Sequence, residues 1–596
     1  MKKVAFLSLF LLVISSSCFY SCKRTISPEK TIAQTLLAQI DTFIQLKNKM
    51  IAAAGSATAN EKQLQQLFLQ TRLAYKKFEW AAEYFTPATA RFVNGPPVQE
   101  VEMLSGQVFE PAGLQVIEGY LFPKYNPAKK QLLLNQLRLL QAGCDKFKVY
   151  YANIDIFDWQ VFDASKLEIF RMLSLNISGF DNPLTLNSMS ESAASIKSLK
   201  AVLACYGNNT DDGLPATMDA AAKYLLSNTN FNSFNRATFI TKYGNPISTG
   251  ITDIEKKLGI HVIRYNRLLN QDAKTLFDKD AFNPNAYAPN PESFSSPQKV
   301  ALGQVLFADP ILSGDSGRSC QSCHQPEKGF ADGLVKNTRL GTNKLLPRNT
   351  PTLLNAALQP SQFYDLRVAT LENQALAVVQ NKDEMHGSMK AAAARLWKSQ
   401  KYRSLFSSAF PNKNRKEIDT LEVMNAIGSY IRSLAVLNSR FDEYMRGNEN
   451  VMSPEEIAGF NLFMGKAKCG TCHYMPLFNG SFPPRYMLVE SEVIGVPKSL
   501  AKNVIDDDMG RYYVLKTRAF KHAFKISTVR NASHTAPYMH NGVFTTLQQV
   551  MDFYNEGGGA GLGYPVENQT LAADKLHLTQ KESNEVIAFI KSLDSK

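Results

Sequence analysis

The chain has 596 residues, 44% of them hydrophobic and 20% charged, and its formal net charge is +13. This length is sufficient for roughly three or four domains of about 150 residues, and the hydrophobic fraction excludes an intrinsically disordered protein. No dense basic cluster interleaved with aromatic residues accompanies the positive charge, so binding to nucleic acid is not expected. The charge predicts a solvated basic surface, and steering of a partner protein is the alternative interpretation.

The first residues have the pattern of an export signal. Two lysines precede an apolar run at residues 4–14, and small residues follow it. About eleven apolar residues are too few to span a bilayer, which needs roughly twenty. We therefore predict a signal peptide over residues 1–22 and a periplasmic protein. Cys18 and Cys22 are both candidates for a lipid-bearing N-terminal cysteine, so a lipid anchor is predicted as the sole membrane attachment, with plain secretion as the alternative.

The next block, residues 31–276, is predicted to be a helical domain. Stretches such as residues 64–85 place apolar residues at three- and four-residue spacing, which is typical of amphipathic helices. A stretch rich in proline and asparagine follows, and residues 277–297 are predicted to be a linker. Cys144 and Cys205 could form a disulfide in an oxidising compartment or remain as buried thiols.

Two copies of the motif Cys-Xaa-Xaa-Cys-His carry the strongest chemical signal in the chain. The motif residues are Cys320, Cys323 and His324 in the first copy, and Cys469, Cys472 and His473 in the second. Two cysteines at this spacing can form thioethers to the vinyl groups of one haem, and the adjacent histidine then reaches the iron. Zinc, the competing interpretation, normally needs four protein ligands. The sequence therefore predicts two covalent haem c groups, with both histidines as iron ligands.

The segments around these motifs repeat one unit twice. In each copy a Ser-Pro pair opens a short helix, because serine is a good N-cap and proline suits the first helical turn. The haem motif follows, and an amphipathic helix closes the copy at residues 427–434 and at residues 586–593. Two cytochrome-c-like domains are therefore predicted, residues 298–447 and 448–596, and the fold class is mainly α.

Residues 295–596 resemble the bacterial di-haem cytochrome c peroxidase and MauG family. The resemblance rests on residues 347–355, 363–367 and 370–374, and on residues 529–543 after the second motif. It implies an oxidoreductase that reduces hydrogen peroxide to water with electrons from a small redox donor such as a cytochrome c. A homodimer is compatible with this family.

The first haem is the peroxidatic one in that family, and Gln374 and Glu384 match the residues that line its open face. Cleavage of the peroxide O–O bond needs a group that takes a proton from one oxygen and gives it to the other. The resemblance assigns this role to Glu384, with Gln374 orienting it, and His386 is the rival acid–base residue. No histidine lies between His324 and His386, so we expect an open first haem that needs no reductive activation.

The second haem takes its other ligand, in that family, from a helix after a His-Asn-Gly turn. The matching residue is Tyr554, as in the MauG branch, whereas peroxidases have methionine there; Met551, one turn earlier, is the competing ligand. A tyrosinate stabilises ferric iron and should lower the reduction potential of this haem. Between the haems the family places a tryptophan, and here Tyr364 takes its position. Tyrosine can relay an electron, but the family's sharing of charge between the haems is not expected.

The resemblance also implies a calcium ion between the two haem domains. Asn349, Thr535 and Pro537 match its protein ligands, and oxygen ligands suit calcium.

A second hypothesis is a MauG-like oxidase that draws electrons from a partner protein or another substrate, which Tyr554 supports and Tyr364 opposes. A third treats the helical half as a metal- or partner-binding module with accessory haems. That half resembles the imelysin-like helical domain of exported iron-associated proteins, through the segment that begins at Gly113 and includes Glu118. The histidine of that family's motif is replaced by Gln115, so a scaffold or docking role is expected in preference to metal binding.

Overall fold

The computed structural model describes residues 27–101, 108–207, 213–411 and 416–595. The fold is mainly α, as predicted. The predicted signal peptide, with Cys18 and Cys22, lies outside the described residues. Within the described ranges, no helix has both the length and the apolar character that a membrane crossing requires.

The N-terminal half is an assembly of helices with one short β-hairpin. Its helices are α1 (Pro28–Gly55), α2 (Glu61–Lys76), α3 (Glu79–Phe85), α4 (Pro87–Asn94), α5 (Leu114–Leu121), α6 (Lys130–Asn153), α7 (Asp158–Ser174), α8 (Ser188–Ala204), α9 (Leu214–Ser227), α10 (Arg236–Phe239) and α11 (Asn245–Lys257). A π-helical turn, Ile240–Gly244, joins α10 to α11. The hairpin pairs β1 (Glu100–Val101) with β2 (Val108–Phe109) in antiparallel register. Cys144 and Cys205 are both free thiols.

The C-terminal half contains the two haem-motif units. Its helices are α12 (Pro297–Ala308), α13 (Leu371–Gln380), α14 (Met389–Lys398), α15 (Gln400–Ala409), α16 (Thr420–Ser433), α17 (Arg440–Met445), α18 (Pro454–Phe463), α19 (Tyr512–Leu515), α20 (Leu547–Asn555), α21 (Gly558–Gly561) and α22 (Gln580–Ser592). Two short antiparallel pairs lie in the second unit, β3 (Ser491–Glu492) with β6 (Phe524–Lys525) and β4 (Pro497–Ser499) with β5 (Lys502–Ile505).

The repeated unit is visible in how its first helix begins and where it packs. Ser296 caps α12 by accepting a hydrogen bond from the Lys299 N–H, and Ser453 caps α18 by accepting one from the Glu456 N–H. Each of these helices crosses the predicted closing helix of its own unit, which is α16 in the first unit and α22 in the second. The crossing is close because a glycine lies at the contact in each copy, Gly303 or Gly459.

The segment predicted to be a linker, residues 277–297, is a packed connection. Phe277 and Phe282 are both buried. The Phe277 ring lies 5.9 Å from the Phe441 ring, and the Phe282 ring lies 5.4 Å from the Tyr486 ring. Composition predicted a linker here, and burial of these two aromatic side chains stabilises the connection against its neighbours.

Apolar side chains form two separate cores, and their division differs from the sequence boundaries. One core belongs to the first haem-motif unit. The other runs without interruption from the helical half into the second unit. A polar contact crosses the same boundary, because the Ser174 hydroxyl donates a hydrogen bond to the Met475 carbonyl over 2.9 Å.

We predict that Gly303→Ala and Gly459→Ala each destabilise the protein by about 1–3 kcal/mol, the usual cost of overpacking. A Cβ atom at these positions would lie 1.9 Å from the Ala426 carbonyl oxygen and 1.8 Å from the Glu585 carbonyl oxygen, so the crossing helices must move apart. Urea unfolding of each variant measures the loss. Gly119→Ala is the matched control, because no atom lies within 4 Å of its added Cβ and alanine favours a helix by up to about 1 kcal/mol. Equal stability of all three variants would contradict the prediction.

Candidate active site and haem sites

The first haem motif forms a short 3-10 turn that brings its cysteines and histidine together. The His324 N–H donates to the Cys320 carbonyl over 3.0 Å. The Nδ1 atom of His324 lies 2.9 Å from the Phe330 carbonyl oxygen, a contact that leaves Nε2 free to bind a metal. Burial lowers the pKa of His324, which favours the neutral imidazole that ligates iron. These residues fit a covalently attached haem.

A cavity of about 410 Å³ opens beside this motif. Cys320, Cys323 and His324 line it, and so do Gln374 and Glu384, both predicted from the sequence to lie over the first haem. Cofactor and ligand pockets in proteins commonly enclose about 300–1,000 Å³. The cavity therefore brings the attachment residues and the predicted distal residues into one site.

Gln374 and Glu384 present polar atoms to this cavity. The Oε1 atom of Gln374 is buried and has no hydrogen-bond partner among the described residues. Asn381 donates from Nδ2 to Oε1 of Glu384 over 2.6 Å and fixes that carboxyl group. Burial raises the pKa of Glu384 above its ordinary value. An orphaned acceptor beside an oriented, partly desolvated carboxyl group is the arrangement expected of a site that handles protons.

His386, the rival acid–base residue, lies on the exposed surface. It has a backbone φ of +46°, and it is absent from the cavity lining as far as the described residues define it. Its backbone N–H donates to the Asn381 carbonyl over 2.8 Å, in the turn that positions Glu384. Glu384, two residues earlier in that turn, does line the cavity.

Tyr364 also lines the cavity, and burial raises the pKa of its phenol. Its carbonyl accepts a hydrogen bond of 2.7 Å from the Lys525 N–H in the second unit. Next to it, Arg348 joins Asp365 of its own unit, at 2.7 Å, to Asp508 of the second unit, also at 2.7 Å. This bridge could not be predicted from the sequence, because no motif links two residues that lie 160 positions apart.

The second haem motif forms the same kind of turn. The His473 N–H donates to the Cys469 carbonyl over 2.9 Å. The centre of the His473 ring lies 6.4 Å from that of the Phe463 ring. Burial lowers the pKa of His473 to about 4, so the neutral imidazole needed for iron ligation is the stable form. This turn therefore also fits an attached haem.

Helix α20 carries both candidates for the second iron ligand. Met551 and Tyr554 lie three residues apart, so they occupy neighbouring positions on one helix face. Met551 is 3% exposed within the large apolar core. Burial raises the pKa of the Tyr554 phenol, and the cysteine thiols Cys472 and Cys469 raise it further. The Tyr554 phenol therefore lies close to the second motif.

The predicted calcium ligands make other contacts. Asn349 donates its side-chain amide to the Leu334 carbonyl over 2.8 Å, and the Thr535 methyl group packs against Gly329. In the described part of the chain, no group of three or more His, Cys, Asp and Glu side chains could hold a metal ion. The calcium site, including Pro537, stays a prediction.

In the helical half, the residues that match the imelysin motif take part in a buried hydrogen-bond network. Gln115 donates from Nε2 to the Asn94 carbonyl over 2.8 Å. Oε1 of Glu118 accepts from the Thr185 N–H and hydroxyl over 2.8 and 2.7 Å. Burial also raises the pKa of Glu118. These contacts are those of packed interior groups, and the scaffold role of this half stays a prediction.

Comparison with known proteins identifies relatives of the haem-bearing half. The family model for the di-haem cytochrome c peroxidase matches residues 297–450. Cytochrome-c peroxidase IdrP2 of Pseudomonas sp. (strain SCT) is 31% identical over 322 residues, covering 51% of this chain and 83% of the relative. Methylamine utilization protein MauG of Methylorubrum extorquens is 31% identical over 320 residues, covering 53% of this chain and 84% of the relative. The solved structure of a MauG-like protein associated with microbial copper homeostasis matches with 27% identity and a TM-score of 0.46. The match covers 52% of this chain and 94% of the solved chain.

Proposed function

This chain belongs to the di-haem cytochrome c peroxidase family, and we propose that it reduces hydrogen peroxide to water at the His324 haem. A small redox donor, such as a cytochrome c, would deliver the electrons through the His473 haem. The observation that carries this proposal is the shared cavity, in which Gln374 and Glu384 lie with the first haem motif. Because peroxide cleavage needs a proton relay next to the iron, this pairing supports peroxidase chemistry over simple electron carriage.

The bound haem supplies the electrons for reductive cleavage of the O–O bond. The chain's own residues would manage the protons. The Glu384 carboxylate, held by Asn381, takes a proton from one peroxide oxygen and returns it to the other, which leaves as water. The unpartnered carbonyl oxygen of Gln374 accepts a hydrogen bond from the peroxide and orients it. The overall reaction consumes one peroxide, two electrons and two protons and releases two waters.

We expect Glu384→Gln to lower kcat/KM for hydrogen peroxide by about 10²- to 10⁴-fold, the usual contribution of a positioned acid–base group. Peroxide-dependent oxidation of a reduced cytochrome c measures this loss, and haem content checks that both groups are attached. His386→Gln is the matched control and should retain activity, because His386 lies outside the cavity lining. Full activity of the Glu384→Gln variant would refute the proposed role.

The raised pKa of Glu384 also predicts the pH profile. The base must be ionised to accept the peroxide proton, so activity should fall as pH drops through this raised pKa. The acidic limb of kcat/KM should therefore lie above the ordinary glutamate value of about 4.3. Glu384→Gln should abolish that limb in the residual activity, and a limb that persists in this variant would assign it to another group.

We propose Tyr554 as the second ligand of the His473 haem, because its phenol lies near Cys472 and Cys469. Tyr554→Met should raise the reduction potential of this haem, since a thioether stabilises ferric iron less than a tyrosinate does. Electron paramagnetic resonance of the ferric protein should show the change of ligand. Met551→Leu is the matched control on the same helix face, and a changed ferric spectrum in that variant would favour Met551 as the ligand.

Tyr554 also favours a second candidate function, a MauG-like oxidase that draws electrons from a partner protein. Tyr364 counts against it, because a tyrosine radical usually loses its proton and so shares charge poorly between haems. Steady turnover of peroxide with a reduced cytochrome c would support the peroxidase. Poor cytochrome oxidation, together with peroxide-dependent oxidation of another protein, would support the oxidase.

We further propose that the protein is exported and lipid-anchored, on the basis of the signal pattern in residues 1–22. Attachment of the lipid to Cys18 or Cys22 would leave that cysteine as the first residue. Mass spectrometry of the mature N-terminus distinguishes the two sites from plain secretion.

A further inference from the structure

Arg236 is a fully buried cation from the helical half. It begins α10, and its guanidinium donates hydrogen bonds to the Ile177, Phe231 and Phe234 carbonyls over 2.8, 2.9 and 3.1 Å. The guanidinium carbon also lies 4.5 Å from the centre of the Phe231 ring. Backbone carbonyls and an aromatic face stabilise this charge, but they carry no net negative charge that could neutralise it.

Four other buried arginines of this chain are each neutralised by a carboxylate, and Arg236 differs from these four. Their ion pairs span 2.6–2.9 Å: Arg72 with Glu191, Arg171 with Asp181, Arg432 with Glu372 and Arg530 with Asp442. Arg236 has no carboxylate within 4 Å among the described residues. Burial lowers the pKa of Arg236 to about 9, with no contribution from a neighbouring charge. The group therefore remains a cation at neutral pH.

The guanidinium lies against the turn that leads into the second haem motif. Its Nη1 is 3.4 Å from the Asn461 carbonyl oxygen in α18. A Cβ atom on Gly465 would lie 2.7 Å from the same nitrogen. Between these two residues, the Phe463 ring faces the His473 ring at 6.4 Å. The charge from the helical half thus contacts the backbone that positions the ligand of the second haem.

We propose that Arg236 raises the reduction potential of the His473 haem through its uncompensated buried charge. Reduction adds one negative charge to the haem, and a nearby cation in a poorly polarisable interior stabilises that reduced form. This effect opposes the one expected from a tyrosinate ligand. The inference assigns the helical half a part in electron transfer, and it rests on the proposed role of the second haem as the point of electron entry.

Spectroscopic redox titration of the full-length, haem-loaded protein tests this inference. Arg236→Gln should shift the potential of the His473 haem to a more negative value and leave that of the His324 haem unchanged. Arg236→Lys, which keeps the charge, should restore most of the native potential. Arg264→Gln is the matched control, because it removes an exposed charge from the same half and should shift neither potential, since water screens it.

Asn461→Asp provides a variant that leaves the guanidinium in place. Oδ1 of Asn461 accepts hydrogen bonds from the Arg236 and Ala237 N–H groups over 2.8 and 3.2 Å, and an aspartate can accept the same bonds while adding a negative charge. This variant should also make the potential of the second haem more negative. Unchanged potentials in both Arg236→Gln and Asn461→Asp, or equal shifts of the two haems, would overturn the inference.

Peroxide turnover of the same variants separates this inference from the proposed function. A shifted potential in a protein that never turns over peroxide would uphold the role of Arg236 and reject the peroxidase. Normal peroxide turnover with unchanged potentials would uphold the peroxidase and reject the role of Arg236.

Discussion

The helical half and the second haem-motif unit share one apolar core, and the surroundings of the His473 haem depend on that packing. Tyr474 directly follows His473 in the sequence, and the Phe180 ring lies 6.0 Å from the Tyr474 ring. The Phe180 ring also lies 5.5 Å from the Phe482 ring. Burial of apolar surface is the main favourable term in folding, so separating the two parts would expose both faces to water. The second haem therefore lies in a domain built from two distant stretches of the chain.

The first haem site has its own core, and this separation explains how the two sites can differ. The lining of its cavity includes polar atoms, among them a buried acceptor on Gln374 that lacks a protein partner among the described residues. The second motif lies close to the phenol of Tyr554, which is itself partly buried. The first haem site thus offers a cavity and groups that can transfer protons, whereas the second haem site offers a candidate for the second iron ligand. Because the attachment motifs themselves are alike, these different surroundings are what supports the proposed division between peroxide chemistry and electron entry.

Local features of the sequence predicted local features of the structure well. The serine caps at Ser296 and Ser453 form as expected, because a cap depends only on residues within one helical turn. Glu384 and Gln374 do line the first cavity, but the family resemblance pointed to them and no spacing rule could. The sequence could not predict the bridge from Arg348 to Asp508 or the contact of Arg236 with the second unit, since partners far apart in sequence leave no periodic signal. The packing of the linker could not be predicted, because composition does not reveal which aromatic residues find a partner.

The chemistry at the boundary between the two halves is difficult to explain by stability alone. Removing a guanidinium from water is costly, and apolar residues of similar volume often stabilise a buried site at least as well as a charge. The carbonyls of Ile177, Phe231 and Phe234 offset part of this desolvation cost for Arg236. Among the described residues, no carboxylate lies within 4 Å of the guanidinium to offset the remainder. A buried charge against the backbone that leads into the second haem motif would act electrostatically on a haem bound there, which an apolar side chain could not do. A tyrosinate ligand would hold that haem ferric, and the proposed effect of the Arg236 cation would oppose this preference, so that a donor of moderate potential could still reduce the haem.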